Sequence, residues 1–369
     1  MTEGRAALLL EPGAPAVIED IYLEDPGPNE VLVKIVASGV CHTDLTVKNL
    51  NGNGMPFPIY LGHEGAGYVE RVGPGVVDLK PGDPVVIAYR APCGRCPSCR
   101  RGDPRRCYAA LRPSPKIHRK KDDALVSQVL RCGTFGTHTV VHEKAAIKMP
   151  ENMPLDRACL LACGVCTGVG AAMNTTPVAP GSRVAVIGCG GVGLSVIQGA
   201  RLQNASMVIG VDISPVKLEW AKKFGATHVV DARDGDPVAA VRALTDDGWD
   251  GGVEYSFEAT GIPKCIDQAV QMLAYGGTAT TIGFPSQTDR IDLSLGDMAI
   301  GVYWNKAGLR VCHCGDTLPT LDFPLLANLY LQGKLDLDSM VTNRIALEDV
   351  EPAFHAMEEG NVIRSVIMF

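Results

Sequence analysis

The chain has 369 residues, 46% of them hydrophobic, which is enough for about two domains with ordinary cores. Its 34 lysines and arginines against 41 aspartates and glutamates leave a net charge of −7, so the overall balance selects neither nucleic acid nor an anionic membrane surface. No apolar run approaches the ~18 residues needed to cross a bilayer, and the first, residues 6–10, is too short for a signal-peptide core, so a soluble cytoplasmic protein is expected. Thirteen cysteines, an odd number, in a chain expected to stay in a reducing compartment point to metal binding before disulfides. Forty-one glycines, about 11% against a usual ~7%, indicate many tight turns and argue against a helical bundle.

Up to about residue 90, short β-branched runs at 31–36, 67–72 and 85–88 alternate with Pro- and Gly-rich turns, predicting an irregular and mostly antiparallel β domain. Cys41-His42-Thr43-Asp44 follows the first run, and His63-Glu64 sits in Gly62-His63-Glu64-Gly65-Ala66-Gly67. Spacing alone does not join Cys41 to His63, and a lone histidine is more often a hydrogen-bonded polar residue than a ligand.

Next come Cys93, Cys96, Cys99 and Cys107, in a stretch so broken by Pro92, Gly94, Pro97 and Gly102 that neither helix nor strand is expected. Zinc takes four thiolates tetrahedrally, and gaps of two residues let successive thiolates turn toward one ion. Such a site has no open position, so its role is to hold a loop that lacks its own core. A zinc ribbon reading nucleic acid competes, favoured by Arg100, Arg101, Arg105 and Arg106; no aromatic platform interleaves them, and the acidic total opposes it. The mixed charge run at 116–123 reads as a solvated loop. Cys159, Cys163 and Cys166 lie four and three apart, so all three could occupy one helical face as small buried hydrophobes.

Beyond about residue 165, strand and helix alternate, with strands at 183–187, 207–211, 227–230, 252–257, 278–282 and 309–312, predicting a doubly wound parallel sheet. Gly188-Cys189-Gly190-Gly191-Val192-Gly193 follows the first of these and opens an apolar helical stretch. Its glycines permit the turn, let backbone approach a pyrophosphate and let helix pack on strand, while the helix N-terminus attracts phosphate charge. Asp212 ends the next strand, where a carboxylate accepts ribose hydroxyls and repels a 2′-phosphate, favouring NAD over NADP. A helix-period stretch at 347–357 and a last apolar strand at 366–369 complete the chain, and that strand needs a sheet, expected to be the first domain's.

The order Gly62-His63-Glu64, then Gly67, Gly73 and Val76, resembles the signature of zinc-dependent medium-chain alcohol dehydrogenases. The resemblance extends over nearly the whole chain: Cys41 before Thr43-Asp44, the four-cysteine lobe, Cys163-Gly164-Val165, the glycine fingerprint and Arg364-Ser365-Val366. It implies an α/β protein with a GroES-like β-rich catalytic domain, residues 1–164 and 313–369, and a Rossmann domain, 165–312. It also implies two zinc ions per chain: a structural one in the lobe, and a catalytic one held by Cys41, His63 and Cys163, with an open fourth position and with Glu64 behind it, at times coordinating it. Asp44 then orients His63, and Thr43 takes the substrate proton. NAD is expected against Gly188, Gly190, Gly191, Val192, Gly193, Asp212 and Lys217, with Thr167, Ile282, Gly283 and Phe284 at the nicotinamide and His42 and Arg364 on the pyrophosphate. Tyr89 matches a position where relatives place an aromatic against substrate, suggesting a bulky or aromatic alcohol, and reads equally as core. Residues 298–312, read as strand-rich, resemble the family's subunit-pairing segment, so a homodimer or tetramer is expected.

Zinc is needed because hydride loss from an alcohol requires an alkoxide. Lowering an alcohol pKa from ~16 to ~7 is worth about 12 kcal/mol. Two positions depart from the family. His42 stands where many relatives have arginine, so NAD affinity is expected to fall above pH ~6.5; Thr46 stands where several carry a relay histidine, so the proton must leave differently. The expected reaction is hydride transfer between a primary alcohol or aldehyde and NAD. Alternatives are a dehydrogenase of a formaldehyde–thiol adduct, a biosynthetic aldehyde reductase and, from another class, an inactive zinc scaffold. Neither nucleic acid nor membrane is an expected partner.

Overall fold

The computed structural model describes residues 1–248, 251–286, 288–298 and 300–369. The chain divides into two units, one of residues 1–163 and 318–369 and one of residues 164–317.

The first unit holds two β-sheets. One has five strands in the order Ile117–Arg119, Val17–Leu23, Thr2–Leu9, Ile59–Tyr60, Ser127–Gln128. The other runs Ala146–Lys148, Pro84–Ile87, Glu64–Val72, Glu30–Gly39, Arg364–Met368, Val341–Ile345, with His138–His142 also paired to Glu30–Gly39. Most pairings are antiparallel, as the turn-rich pattern predicts. The C-terminal strand joins this second sheet by pairing antiparallel with Glu30–Gly39. Alternation explains the central strand: Val31, Val33 and Ile35 are buried in one cluster with Val69, Val85 and Ile87, while Lys34 between them is exposed. Each such side chain contributes about 1.5–3 kcal/mol of burial.

Three sequence readings need correction. The charge run at 116–123 is not simply a loop, because Ile117–Arg119 pairs with Val17–Leu23 and Arg119 turns back onto Asp122. The cysteine lobe is not wholly irregular: Pro97–Arg100 makes one α turn and Pro104–Arg106 one 3₁₀ turn, each opened by a proline whose fixed φ suits a first helical position. Residue 299 of the supposed strand-rich stretch 298–312 lies outside the described residues, and of the rest only Gly308–Val311 is strand. Residues 302–306 are turn, since Asn305 with Gly301 and Lys306 with Tyr303 close local hydrogen bonds instead of a ladder.

The second unit is a six-stranded parallel sheet in the order His228–Asp231, Met207–Asp212, Arg183–Ile187, Val253–Glu258, Leu273–Thr281, Gly308–Val311. The first strand in sequence lies mid-sheet and the order reverses beside it, so the loops after Arg183–Ile187 and Val253–Glu258 diverge at the carboxyl ends where such sheets bind ligands.

Candidate metal centre and nucleotide site

Cys41 caps helix His42–Asn49 just beyond strand Glu30–Gly39, and His63 immediately precedes strand Glu64–Val72. The register pairs Gly39 with Glu64, so the two segments meet at one end of the sheet. Gly62 takes φ +91°, and a side chain there would strike the Phe135 backbone, so glycine is required at the turn that delivers His63. Asp44, in the first helical turn and fully buried, closes the arrangement. Its Oδ1 accepts from the Gly62 N–H at 2.9 Å, and its Oδ2 lies 3.0 Å from His63 Nδ1 without completing a well-angled hydrogen bond.

Cys163 enters from a different part of the chain. The 3₁₀ turn Cys159–Ala162 stops at Cys163, whose φ −142° and ψ −74° interrupt the helical run before Gly164–Gly170. The common helical face suggested by the spacing of Cys159, Cys163 and Cys166 therefore does not form. Cys159 and Cys166 are buried, and burial raises the Cys159 thiol well above its usual range. The middle cysteine alone reaches the centre: one donor atom each of Cys41, His63, Glu64 and Cys163 lie within 4.8 Å of one another.

These residues suit a metal. Four donors at ~2.0–2.3 Å from one zinc ion in tetrahedral array stand under ~4 Å apart. His63 Nε2 is buried and completes no hydrogen bond, which is costly unless an ion takes its lone pair. The Cys163 thiol first, then His63, lowers Cys41 well below the usual thiol range against burial. Burial alone would lower the His63 pKa, but Asp44 and Cys41 raise it well above normal, and metal binding would release the proton. Glu64 is also wholly buried: burial pushes its carboxyl up to about 7, while Arg364, only 6% exposed, pairs with both its oxygens and pulls it down. Arg364 thus turns toward Glu64 in this unit. Thr43 lies on the helix, its Oγ1 3.7 Å from Cys41 Sγ. The Thr46 hydroxyl donates to its own helix at the His42 carbonyl, 2.8 Å away. Tyr89, half-buried, stands edge-on to the His63 ring at 6.0 Å and also packs on the Val31–Ile87 cluster.

The donors of Cys93, Cys96, Cys99 and Cys107 also lie within 4.8 Å of one another, and none is disulfide-bonded. Backbone N–H groups of Arg95 and Cys96 donate to Cys93 Sγ at 3.5 and 3.3 Å, and that of Cys93 donates to Cys107 Sγ at 3.3 Å. The Arg95 N–H foremost lowers Cys93, and the Cys99 N–H foremost lowers Cys96 to about 6; Cys99 is pushed up to about 12, chiefly by burial. The set suits a closed tetrathiolate site. Arg105 is bound to Asp322 at 2.5 Å and Arg106 to Asp103 at 3.2 Å, which weakens the reading of these arginines as a nucleic-acid surface.

In the second unit, Gly188 takes φ +88° beside Thr260, a side chain on Gly193 would strike the Gly188 carbonyl, and a side chain on Gly190 would meet open space just before helix Gly191–Leu202. Asp212 Oδ2 accepts from the Cys189 N–H at 2.7 Å and Oδ1 from the Ser214 N–H at 2.9 Å, tying this loop to the next strand's end. Val192 lies in that helix and Lys217 on Pro215–Phe224. Ile282 and Gly283 follow strand Leu273–Thr281, and Phe284 beyond them is 78% exposed. Thr167 lies on Gly164–Gly170. His42, exposed at a helix start, and Arg364 belong to the first unit.

A family model described as alcohol dehydrogenase GroES-like domain matches residues 27–151, and one described as zinc-binding dehydrogenase matches 191–307. The class-3 alcohol dehydrogenase of Cereibacter sphaeroides is 38% identical over 379 residues, covering 99% of each chain. The chain belongs to the zinc-dependent alcohol dehydrogenase family. S-(hydroxymethyl)glutathione dehydrogenase of Paracoccus denitrificans is 36% identical, again with 99% of each covered. Benzyl alcohol dehydrogenase of Acinetobacter calcoaceticus has a crystal structure of TM-score 0.91 at 32% identity, with all of both chains covered. This family member is an NAD-dependent alcohol oxidoreductase with two zinc sites per chain. Among the described residues no single helix is long and apolar enough to cross a membrane.

Sequence reading missed Glu258. It is fully buried at the end of strand Val253–Glu258, where Oε1 accepts from Thr260 N–H and Oγ1 at 2.5 Å each and Gly261 N–H at 2.7 Å, and Oε2 from Thr281 Oγ1 at 3.2 Å. The only available signal was a carboxylate ending a parallel strand. Glu258 locks the Thr260 loop against Gly188, and each buried donor left unpaired costs about 1–3 kcal/mol. Glu258→Ala is expected to raise the KM for NAD at least tenfold and lower the unfolding midpoint. Glu258→Gln, which keeps an oxygen for three of the donors, should restore most of both; NADH fluorescence titration and thermal melts check this.

Proposed function

We propose that the protein oxidises a primary alcohol of aromatic or otherwise bulky frame to its aldehyde, passing hydride to NAD, and reduces the aldehyde in reverse. The observation that carries this reading is the convergence of Cys41, His63 and Cys163 donors with the Tyr89 ring edge-on to His63 at 6.0 Å. The benzyl alcohol dehydrogenase likeness supports the substrate class. When bound at these three residues, zinc supplies the positive charge that strengthens an alcohol as an acid, and NAD accepts the hydride.

Asp44 keeps the His63 proton on Nδ1, leaving the Nε2 lone pair for the ion. Glu64, paired with Arg364, lends negative charge behind the site. Thr43 is the hydroxyl that takes the alcohol's proton. Because Thr46 is committed to the His42 carbonyl, the proton leaves past exposed His42 to water. NAD is held at the Gly188–Gly193 loop with Asp212 and Lys217 at the adenosine ribose, Thr167, Ile282, Gly283 and Phe284 at the nicotinamide, and His42 and Arg364 at the pyrophosphate.

Exposed Tyr303, Trp304 and Val311 support subunit pairing through the 298–312 stretch, as a homodimer or tetramer. Free cysteines throughout the chain support a cytoplasmic site of action. The Cereibacter and Paracoccus relatives favour a second reading, oxidation of a formaldehyde–thiol adduct. Absorbance at 340 nm with NAD and benzyl alcohol, or formaldehyde plus glutathione, separates the two: turnover of benzyl alcohol is expected, and turnover confined to the adduct would replace the first reading with the second.

A further inference from the structure

Helix Gly164–Gly170 carries Thr167, yet its own sequence does little to place it. It is seven residues long and includes Gly164, Gly168 and Gly170, so neither length nor propensity sustains it, and its position is set by what packs on it. On one side Gly168 meets helix Gly191–Leu202, where an added side chain would strike the Val192 carbonyl and the Ser195 side chain. On another lies the turn Cys314–Asp316. A side chain on Gly315 would strike the Cys166 carbonyl and crowd that of Thr167, and one on Gly170 would strike Gly315.

That turn has a costly backbone. Cys314, Gly315 and Asp316 take φ 58°, 63° and 43°, three left-handed residues in succession, of which only the glycine adopts this conformation freely. The helix it touches ends in a wide π turn, Ala171–Thr175, closed by the Thr176 N–H on the Ala171 carbonyl at 2.9 Å. Turns of this kind are rare and recur at functional sites. The extra residue moves Thr175 out of the place an α-helix would give it. Its buried hydroxyl donates to Asp316 Oδ2 at 2.7 Å and lies 3.4 Å from Cys312 Sγ. Beside it the Asn174 amide donates to the Gly315 carbonyl at 3.3 Å, and Arg310 Nη1 donates to the Thr175 carbonyl at 2.8 Å. A left-handed turn and a widened helical turn, each disfavoured alone, hold one another through these bonds.

We propose that Asp316, acting through Thr175, is a positioning residue for hydride transfer: it clamps the 314–316 turn onto helix Gly164–Gly170 and so fixes Thr167 for the nicotinamide. This rests on the placement of Thr167 given above. The adenosine end of NAD is held by other elements, the glycine loop and Asp212, so loss of the clamp falls on the nicotinamide end alone.

The test uses the zinc-loaded protein and calorimetry with two ligands, NADH and ADP-ribose, which lacks the nicotinamide. Asp316→Gly removes the carboxyl group while keeping a residue at ease in left-handed backbone, and Thr175→Val removes the hydroxyl. Each is expected to weaken NADH at least fivefold and ADP-ribose less than twofold, and the double variant should be no weaker than either alone. Asp316→Asn keeps an oxygen that accepts from Thr175 and tolerates the backbone, so it should restore most of the loss. In the two weakened variants kcat for benzyl alcohol should fall at least tenfold with two zinc ions per chain retained. Equal weakening of both ligands would show support of the fold only and overturn the inference. So would NADH affinity unchanged in both variants, or additive losses in the double variant. The binding result stands whichever alcohol is oxidised. A ratio of the two affinities that moves in Thr167→Ala but not in the clamp variants would overturn the inference and leave the placement of Thr167 standing; a ratio that moves only in the clamp variants would overturn that placement and support the clamp.

Discussion

Cys163→Ser is expected to bring turnover below detection and zinc content from two ions per chain to one, with the thermal unfolding midpoint nearly unchanged. The centre it enters lies in a folded sheet whose Cys41 and His63 segments are held by strand pairing and by the Asp44–Gly62 hydrogen bond, so the frame survives loss of one ligand. What disappears is acid-strengthening of the alcohol, worth up to about 12 kcal/mol or some nine decades of acidity, for which no nearby neutral group substitutes. Cys99→Ser should also leave one zinc per chain, but with the opposite signature. The lobe has little core besides its own cysteines and Leu111, so its order depends on the ion. Structural zinc contributes about 10–16 kcal/mol to the folding of isolated finger peptides, and here that support is lost locally. A lower unfolding midpoint and protease cutting between residues 93 and 107 are expected, with turnover of the still-folded fraction retained. Metal analysis, melts and limited proteolysis on both variants give the comparison; equal loss of fold from the two would contradict this separation of roles.

Asp212→Asn should erode the preference for NAD over NADP. A carboxylate ~4 Å from a ribose 2′-phosphate repels it by about 4 kcal/mol per charge pair at an effective dielectric of ~20. Asp212 is partly exposed, so salt and water screen this, and a change of about 10- to 100-fold in the ratio of kcat/KM values is expected. The loss should be one of discrimination and of NAD affinity together, because both carboxylate oxygens also anchor the Cys189 and Ser214 N–H groups and an amide satisfies only one of them. At saturating NAD, kcat should be little altered. A ratio unmoved by the substitution would show that the ribose is read elsewhere.

Much of the second unit was legible because its signals are local. Strand Arg183–Ile187, the glycines after it and Asp212 at the end of the next strand follow one another in a single βαβ segment, where spacing in sequence maps directly to position in space. The four-cysteine lobe was legible for the same reason. The N-terminal strands Thr2–Leu9 and Val17–Leu23 were missed, since their apolar run is short and it is pairing with each other, with Ile59–Tyr60 and with Ile117–Arg119 that defines them. The supposed strand across 298–312 failed because apolar content without a ladder partner does not make a strand.

The amino-acid order by itself determined the four-cysteine cluster, the parallel-sheet unit with its glycine loop and the carboxylate at the end of the next strand, because each is written within a span that a single loop or crossover closes. Only the tertiary structure decided which donors meet at the other centre. Cys41 stands at a strand's end, His63 at another strand's start and Cys163 at a break between helical turns, so their meeting depends on the Gly39–Glu64 register, the bend at Gly62 and the departure of Cys163 from the helical face shared in pattern with Cys159 and Cys166. The same holds for Glu258 and the Glu64–Arg364 pair. A buried charge takes its meaning from the partners that surround it, and those are supplied by chain segments far away in sequence.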